Sequence, residues 1–345
     1  MRGSFVRLVA PFALVAAGAG CSGDLTPPVP TGTRASTTAT VSPSATSTPT
    51  ASPGSQILAT TTVGEGPIGV ATAGASLWVV NSNFTTGGAG SVSRIDPVTN
   101  EVTATVPVGT LPLEAAIGFS SVWVSDSSDN TVSRIDLKTN AVVATIDVCG
   151  GPEGIAIGEG SVWVVCENDG GVARINPAKN TVIATIPVGI TPRFALVVGG
   201  MVWVSNYGGN SLSRIDPATD QVNATVPTDL GPQVMIAFDG AIWVSNLASG
   251  TVQRIDPTTG QVTDAIDVGP VPDGMVALLG SIWVASDAGP QLTRIDPASR
   301  QVTGSFTISD QAAINANQLI GVGDGALWFP LFTQGVVVKV ALPAA

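Results

Sequence analysis

Four side chains suited to binding chemistry recur at one interval. Glu153, Arg193, Gln233 and Asp273 stand 40 residues apart, each one place after a proline, and Gln318 continues the series 45 residues later. A guanidinium flanked by carboxylates either pairs with them internally or offers its planar fork to an incoming carboxylate or phosphate. A second series lies three places after successive tryptophans and reads Asn81, Asp126, Cys166, Asn206, Asn246 and Ser286. Tyr207, the only tyrosine, follows Asn206 and offers a flat face for stacking. Two readings stand side by side. In one the charges merely satisfy each other in water. In the other Glu153, Arg193, Gln233, Asp273, Gln318, Asp126, Asn206, Tyr207 and Asn246 form a ligand site.

The chain contains no histidine. That removes Ser-His-Asp catalysis, haem attachment through CxxCH and every histidine-containing zinc site. No catalytic residue and no resident cofactor is therefore expected, and no metal ligand is assigned. A divalent metal enters only if the acidic residues serve an enzyme.

What must position these residues is a repeat. The seven tryptophans, at 78, 123, 163, 203, 243, 283 and 328, are spaced by 45, 40, 40, 40, 40 and 45 residues inside one recurring phrase. A period near 40 rich in glycine turns predicts an all-β, seven-bladed β-propeller with four antiparallel strands per blade, here called A to D from the axis outwards. In the third unit the predicted strands are 154–157, 161–165, 172–175 and 181–188, and a phrase of the type Arg-Ile-Asp-Pro ends strand C with a turn. The repeated Asp, Arg and Trp read as scaffold. The stretch at 57–64 matches the D strand at 102–109 but has no blade before it, while the last unit, around Leu319, Trp328 and Val338, lacks a D strand of its own. Pairing the two would close the ring and leave no open edge in it.

With this topology the D–A and B–C loops share one face, the top, and the first series lines the mouth of the central channel. Insertions at 81–91 and 309–318 thicken neighbouring sectors of that rim. Cys149 replaces the glycine that ends strand D elsewhere, and Cys166 occupies the Asn/Asp slot after Trp163, so both reach the top face. In an oxidising compartment a disulfide is the natural reading. Two free thiols or soft-metal ligation are the alternatives, the latter poor without histidine.

The start of the chain reads as an export signal. Residues 1–20 carry Arg2 and Arg7, a short apolar stretch and small residues leading to Cys21, where a bacterial lipoprotein would receive its diacylglycerol. A plain cleaved secretory signal is the alternative. Residues 21–55 are dominated by Ser, Thr, Pro, Ala and Gly and read as a disordered tether, leaving 56–345 for the propeller. The expected location is extracytoplasmic, anchored by lipid to the cell membrane in a bacterial envelope. The formal charge is −11, and six of the 14 basic residues are the repeated Arg of strand C, so nucleic acid is excluded as a partner. A monomer is expected, with a protein, peptide, glycan or small anionic ligand at the mouth and the membrane reached through the anchor.

Wording such as GSVWV (160–164) and SLSRIDPATDQVNATVP (211–227) resembles the YVTN/YncE-type seven-bladed propellers and the propeller of streptogramin B (virginiamycin B) lyases over residues 57–345. The lyase resemblance implies elimination at a C–O bond of a cyclic depsipeptide, with histidines, a glutamate and Mg²⁺ near the channel mouth; this chain lacks every such histidine. Gluconolactonase-like propellers, which have six blades, hold a divalent metal with Glu, Asn and Asp, and Glu153, Asn206, Asn246 and Asp273 carry that likeness. The expected function is thus a binding or scaffold module, with a metal-assisted lyase or lactonase as the alternative.

Overall fold

A computed structural model describes residues 56–289, 291–308 and 320–342. All of them belong to the second of two units in the chain, Thr48–Ala345. The signal, Cys21, the tether, the second insertion and Gln318 lie outside the described residues.

Seven four-stranded antiparallel sheets form in chain order, each pairing neighbours in sequence except the last. In the third blade the strands are Pro152–Gly158, Ser161–Cys166, Gly171–Asn176 and Thr181–Pro187, a residue or two from the expected bounds. The closing blade has Gly321–Gly323, Ala326–Leu331 and Val336–Ala341, and its outermost strand is Gln56–Thr62 from the other end of the ring. Thr60 pairs with Val338 and Thr62 with Val336, so the ring closes as expected.

The wedge between blades is tryptophan. All seven indoles are buried. Each packs against the following blade: Trp123 against Ile155, Val162 and Val164, Trp163 against Ala195, Val202 and Val204, and Trp328 across the closure against Val70, Leu77 and Val79. An indole removed from water on this scale contributes about 4–6 kcal/mol as an upper bound, which is why one residue type recurs at every seam.

Below the indoles, the repeated arginines clamp the ring. Arg134 and Arg174 lie 4.7 and 4.6 Å above Trp123 and Trp163. Arg174 then donates from Nη1 to the Pro217 carbonyl and the Asp220 carboxylate of the next blade, both at 2.7 Å. Lys339 replaces the arginine in the last blade and reaches the Pro97 carbonyl at 2.8 Å, so the seam at the closure carries the same clamp. In the turns after strand C, Asp136 accepts from the N–H groups of Lys138 and Thr139, both at 2.9 Å, and Asp256 from Thr258 and Thr259 at 2.7 and 2.9 Å. The sequence assignment of these residues to the scaffold holds.

Candidate functional site

Strand A of each blade enters the channel from a tight top loop. The residue before its proline takes a left-handed backbone, at φ 61° in Gly151 and at 52° in Thr191 and Val271. Its carbonyl accepts the N–H of the residue four places after the blade's Trp, as in Glu167 to Gly151 and Tyr207 to Thr191. A serine two places after the Trp then fixes the next blade: Ser125, Ser205 and Ser245 donate to the carbonyls of Glu153, Gln233 and Asp273 at 2.6, 2.7 and 2.9 Å. Three of the mouth residues are thus tied by their backbones to a neighbouring blade.

These residues converge. Glu153 and Asp273 stand three blades apart, and the charge of Asp273 is the smallest of the causes that act on the Glu153 pKa. Arg193 donates from Nη1 to Glu153 Oε1 at 2.9 Å and meets Glu167 Oε1 with Nη2 at 3.1 Å. Its guanidinium lies 5.4 Å from the centre of the Tyr207 ring. Gln233, only 8% exposed, sits between Arg193 and Asp273 in the series.

Asp126, Asn206 and Asn246 do not join this group. Each is fully buried. Asp126 accepts from the N–H of Gly109 at 3.0 Å and from the Ser133 hydroxyl at 2.6 Å, and Asn206 accepts from the N–H of Gly189 at 3.0 Å while donating to Ser211 and Ser213. Asp126 and Asn206 thus latch the D–A loop to strands B and C, whereas Asn246 only donates to Thr251 and Gln253 of strand C. The glycine is required here, because a Cβ on Gly109 or Gly189 would fall 2.6 or 2.4 Å from the latch side chain. In the third blade both members are cysteine, and Cys149 and Cys166 form the disulfide, with Cα atoms 5.6 Å apart. The disulfide is the covalent version of the same latch.

Electrostatics sets the mouth apart. Burial pushes Glu153 up to about 7, opposed by Arg193 and reinforced by Glu167 and Asp273. Burial also raises Asp287, with the Asp273 charge adding to it, and raises Glu114, which accepts the Ile155 N–H and feels Glu153. Burial works against the Arg193 charge, but Glu153 and Glu167 outweigh it and hold the guanidinium charged. Glu153 Oε2 and Arg193 Nε are buried without a hydrogen-bond partner.

Glu167 and Asp287 escaped the sequence reading, which expected Asp273 as the second acid beside Arg193. They occupy the same slot as Tyr207, four places after the Trp, so reading that slot as a third series would have found them. Glu114 is a different case, since it lies two places after its proline and is buried there. Of the two insertions, the one at 81–91 is described. Part of it lengthens strand C, Ala89–Asp96, and Phe84 meets Phe332 of the last blade edge to face at 6.4 Å. Among the described residues no three Cys, Asp or Glu side chains are grouped to hold a metal ion.

Comparison with known proteins follows the geometry. Residues 115–241 match a family described as a domain of unknown function, DUF5074, and no curated protein matches the sequence. Hydrazine synthase of Kuenenia stuttgartiensis is similar in structure, with TM-score 0.69 and 15% identity over 81% of this chain and 96% of that one. So is virginiamycin B lyase from Staphylococcus aureus, at TM-score 0.69 and 18% identity over 81% and 95%. The chain is a seven-bladed β-propeller resembling the streptogramin B lyases. A further streptogramin B lyase structure gives TM-score 0.66 and 18% identity over 81% of this chain and 94% of that chain. At such identities the likeness is one of fold, and propellers of one fold host unrelated tasks.

Proposed function

We propose that this propeller is a binding module of the bacterial cell envelope, anchored by lipid at Cys21 and taking its ligand at the channel mouth. The observation that carries the reading is the state of the mouth: Glu153 Oε2 and Arg193 Nε are buried without hydrogen-bond partners, in a layer where the residue changes from each blade to the next. Such groups weaken the empty protein, and a ligand supplying their hydrogen bonds recovers that loss. The repeated layers below use their arginines in clamps and Asp126 and Asn206 in latches. Protein, peptide, glycan and small charged ligands are the classes to test.

The test is a melting-temperature screen of the purified protein against peptides, envelope glycans and small ions, repeated with Gln233→Ala. At least one class should raise the midpoint of the native protein and fail to raise that of the variant. No shift from any class defeats the reading. Intact-mass analysis of membrane-extracted protein should find a diacylglycerol on Cys21; a mature chain without lipid removes the anchor.

A second reading, a lyase or lactonase assisted by a divalent metal, is favoured by one observation: Glu153 titrates near 7, where a carboxyl can give and take protons. Ring opening of a cyclic depsipeptide or lactone that needs Mg²⁺ and disappears in Glu153→Gln would establish it, and the same rate in the variant would end it.

A further inference from the structure

We propose that the Cys149–Cys166 disulfide is a redox switch for the channel mouth: intact, it holds Glu153 and Glu167 on Arg193, and its reduction by a small dithiol lets that ion bridge part. Two departures from the repeat fall in one blade. The third blade alone carries cysteines in the latch slots, and the same blade supplies both carboxyls of the bridge. The two features are also joined along the chain. Glu167 follows Cys166 directly, and Glu153 lies four residues after Cys149.

Each arm of the disulfide leads to one carboxyl. Cys166 is fully buried at the end of strand B, paired with Pro152 on one side and Gly171 on the other, so it is the fixed arm. Cys149 is half-buried in the loop between Asp147 and Pro152 and is the movable one. The Glu167 N–H bonds the Gly151 carbonyl at 3.0 Å and the Asn168 N–H bonds the Gly150 carbonyl at 3.1 Å, so a shift of this loop is felt at both carboxyls. Across the seam with the fourth blade those carboxyls hold the two terminal nitrogens of Arg193, at 2.9 and 3.1 Å.

The chemistry is thiol–disulfide exchange. A thiolate of the dithiol attacks the Cys149 sulfur, the more accessible of the two, and the S–S bond breaks with its electron pair going to Cys166, which takes a proton. The second thiol of the reagent then displaces Cys149, leaving two cysteine thiols and the dithiol closed as its own disulfide. Nothing replaces the lost bond. Gly109 and Gly189 give their N–H groups to Asp126 and Asn206 at 3.0 Å, whereas a thiol in that slot is a weak acceptor. The loop stays tied by the Gly150 N–H to Asp169 at 2.7 Å and by the Gly151 N–H to Asn130 at 3.0 Å, so it shifts without unfolding. The ion bridge is largely removed from water and loses heavily when one partner moves. Under the binding reading above, a ligand of the mouth then meets a different arrangement of charge and favours one redox state.

The experiment uses the purified protein with ¹³C in its tyrosine ring. Tyr207 is the only tyrosine, and the Arg193 guanidinium lies 5.4 Å from its ring centre, so one set of ring signals reports the bridge. Arg193→Ala and the milder Glu167→Gln give the direction in which that signal moves when the bridge is lost. Dithiothreitol should release two thiols from the folded protein and move the signal in the same direction, and reoxidation should return it. Cys149→Ser with Cys166→Ser should show the moved signal without reductant, and the signal of Cys149→Gly with Cys166→Asn should ignore dithiothreitol. The indole N–H signals of the seven tryptophans report that the ring of blades stays folded throughout. Thiols that appear only once the protein melts overturn the switch, as does a Tyr207 signal that stays in place after they appear. So do a serine pair with the unmoved signal, a Gly and Asn pair that follows dithiothreitol, and a signal that neither Arg193→Ala nor Glu167→Gln moves. None of these outcomes touches the ligand screen, which decides the binding reading separately.

Discussion

At the lower rim, Asp136, Asp256 and Asp296 sit in open turns, and hydrogen bonds from the turn itself, chiefly backbone N–H groups at the first two and the Ser299 hydroxyl at the third, hold each carboxyl below the usual range. At the upper mouth, Glu114, Glu153 and Asp287 are pushed the other way by burial and by each other's charge. The residue types are the same and the covalent chain supplies both layers in every blade. The difference teaches where a repeat protein can place function. A turn satisfies its aspartate from within a few residues, so each of these carboxyls is completed inside its own blade. The mouth draws its residues from separate blades, and nothing local completes it.

The severest way to break the comparison is to remove what holds both ends. Trp163→Ala should cost about 3–5 kcal/mol in urea unfolding and damage mouth and rim together, because the indole fills the seam into the fourth blade. A loss under about 1 kcal/mol would refute the wedge role of the tryptophans.

Next in size is the latch. Replacing Cys149 and Cys166 by serine should lower stability by about 3 kcal/mol, the expected value for a loop closed over a sequence separation of 17. The pair Cys149→Gly with Cys166→Asn recreates the latch seen at Gly189 and Asn206 and should recover about 1 kcal/mol of that loss. Equal stability of the two double variants would show that the hydrogen-bonded latch contributes nothing.

The pH dependence separates the two ends more finely. Glu153 ordinarily titrates at 4.5 and in the fold at about 7, so between these values the native state holds a proton the unfolded chain has lost. Stability should therefore fall as pH rises through that window, and Asp126, raised from 3.8 to about 6 chiefly by burial, acts in the same direction. Urea midpoints measured from pH 4 to pH 8 should slope downward, and Glu153→Gln should reduce the slope. An unchanged slope in the variant would place the titration elsewhere.

The smallest effect belongs to the rim. Asp136→Ala should lower the melting temperature slightly, by the same amount at neutral and mildly acidic pH, because its carboxyl is held ionised across that range. A drop that grows with acidity above the ordinary carboxylate range would contradict the turn assignment.

Much of this architecture was legible in advance. The spacing of seven tryptophans gave the blade count, the unpaired strand at 57–64 gave the closure, and the swap of Gly and Asn for two cysteines gave the disulfide. The site was legible in part. Glu153, Arg193, Gln233 and Asp273 were found because strand A delivers one slot of each blade to the axis. Asp126 and Asn206, expected in the same site, are instead bonded to the loop glycines Gly109 and Gly189, a partner that the spacing of strand B alone does not reveal.

By itself, then, the sequence determined the number of blades, their strand order and the covalent link, since each follows from local periodicity that every copy repeats. Only the tertiary structure decided that Arg193 joins Glu153 to Glu167. Those contacts depend on how far side chains from different blades reach across a shared axis, a distance that no spacing along the chain encodes.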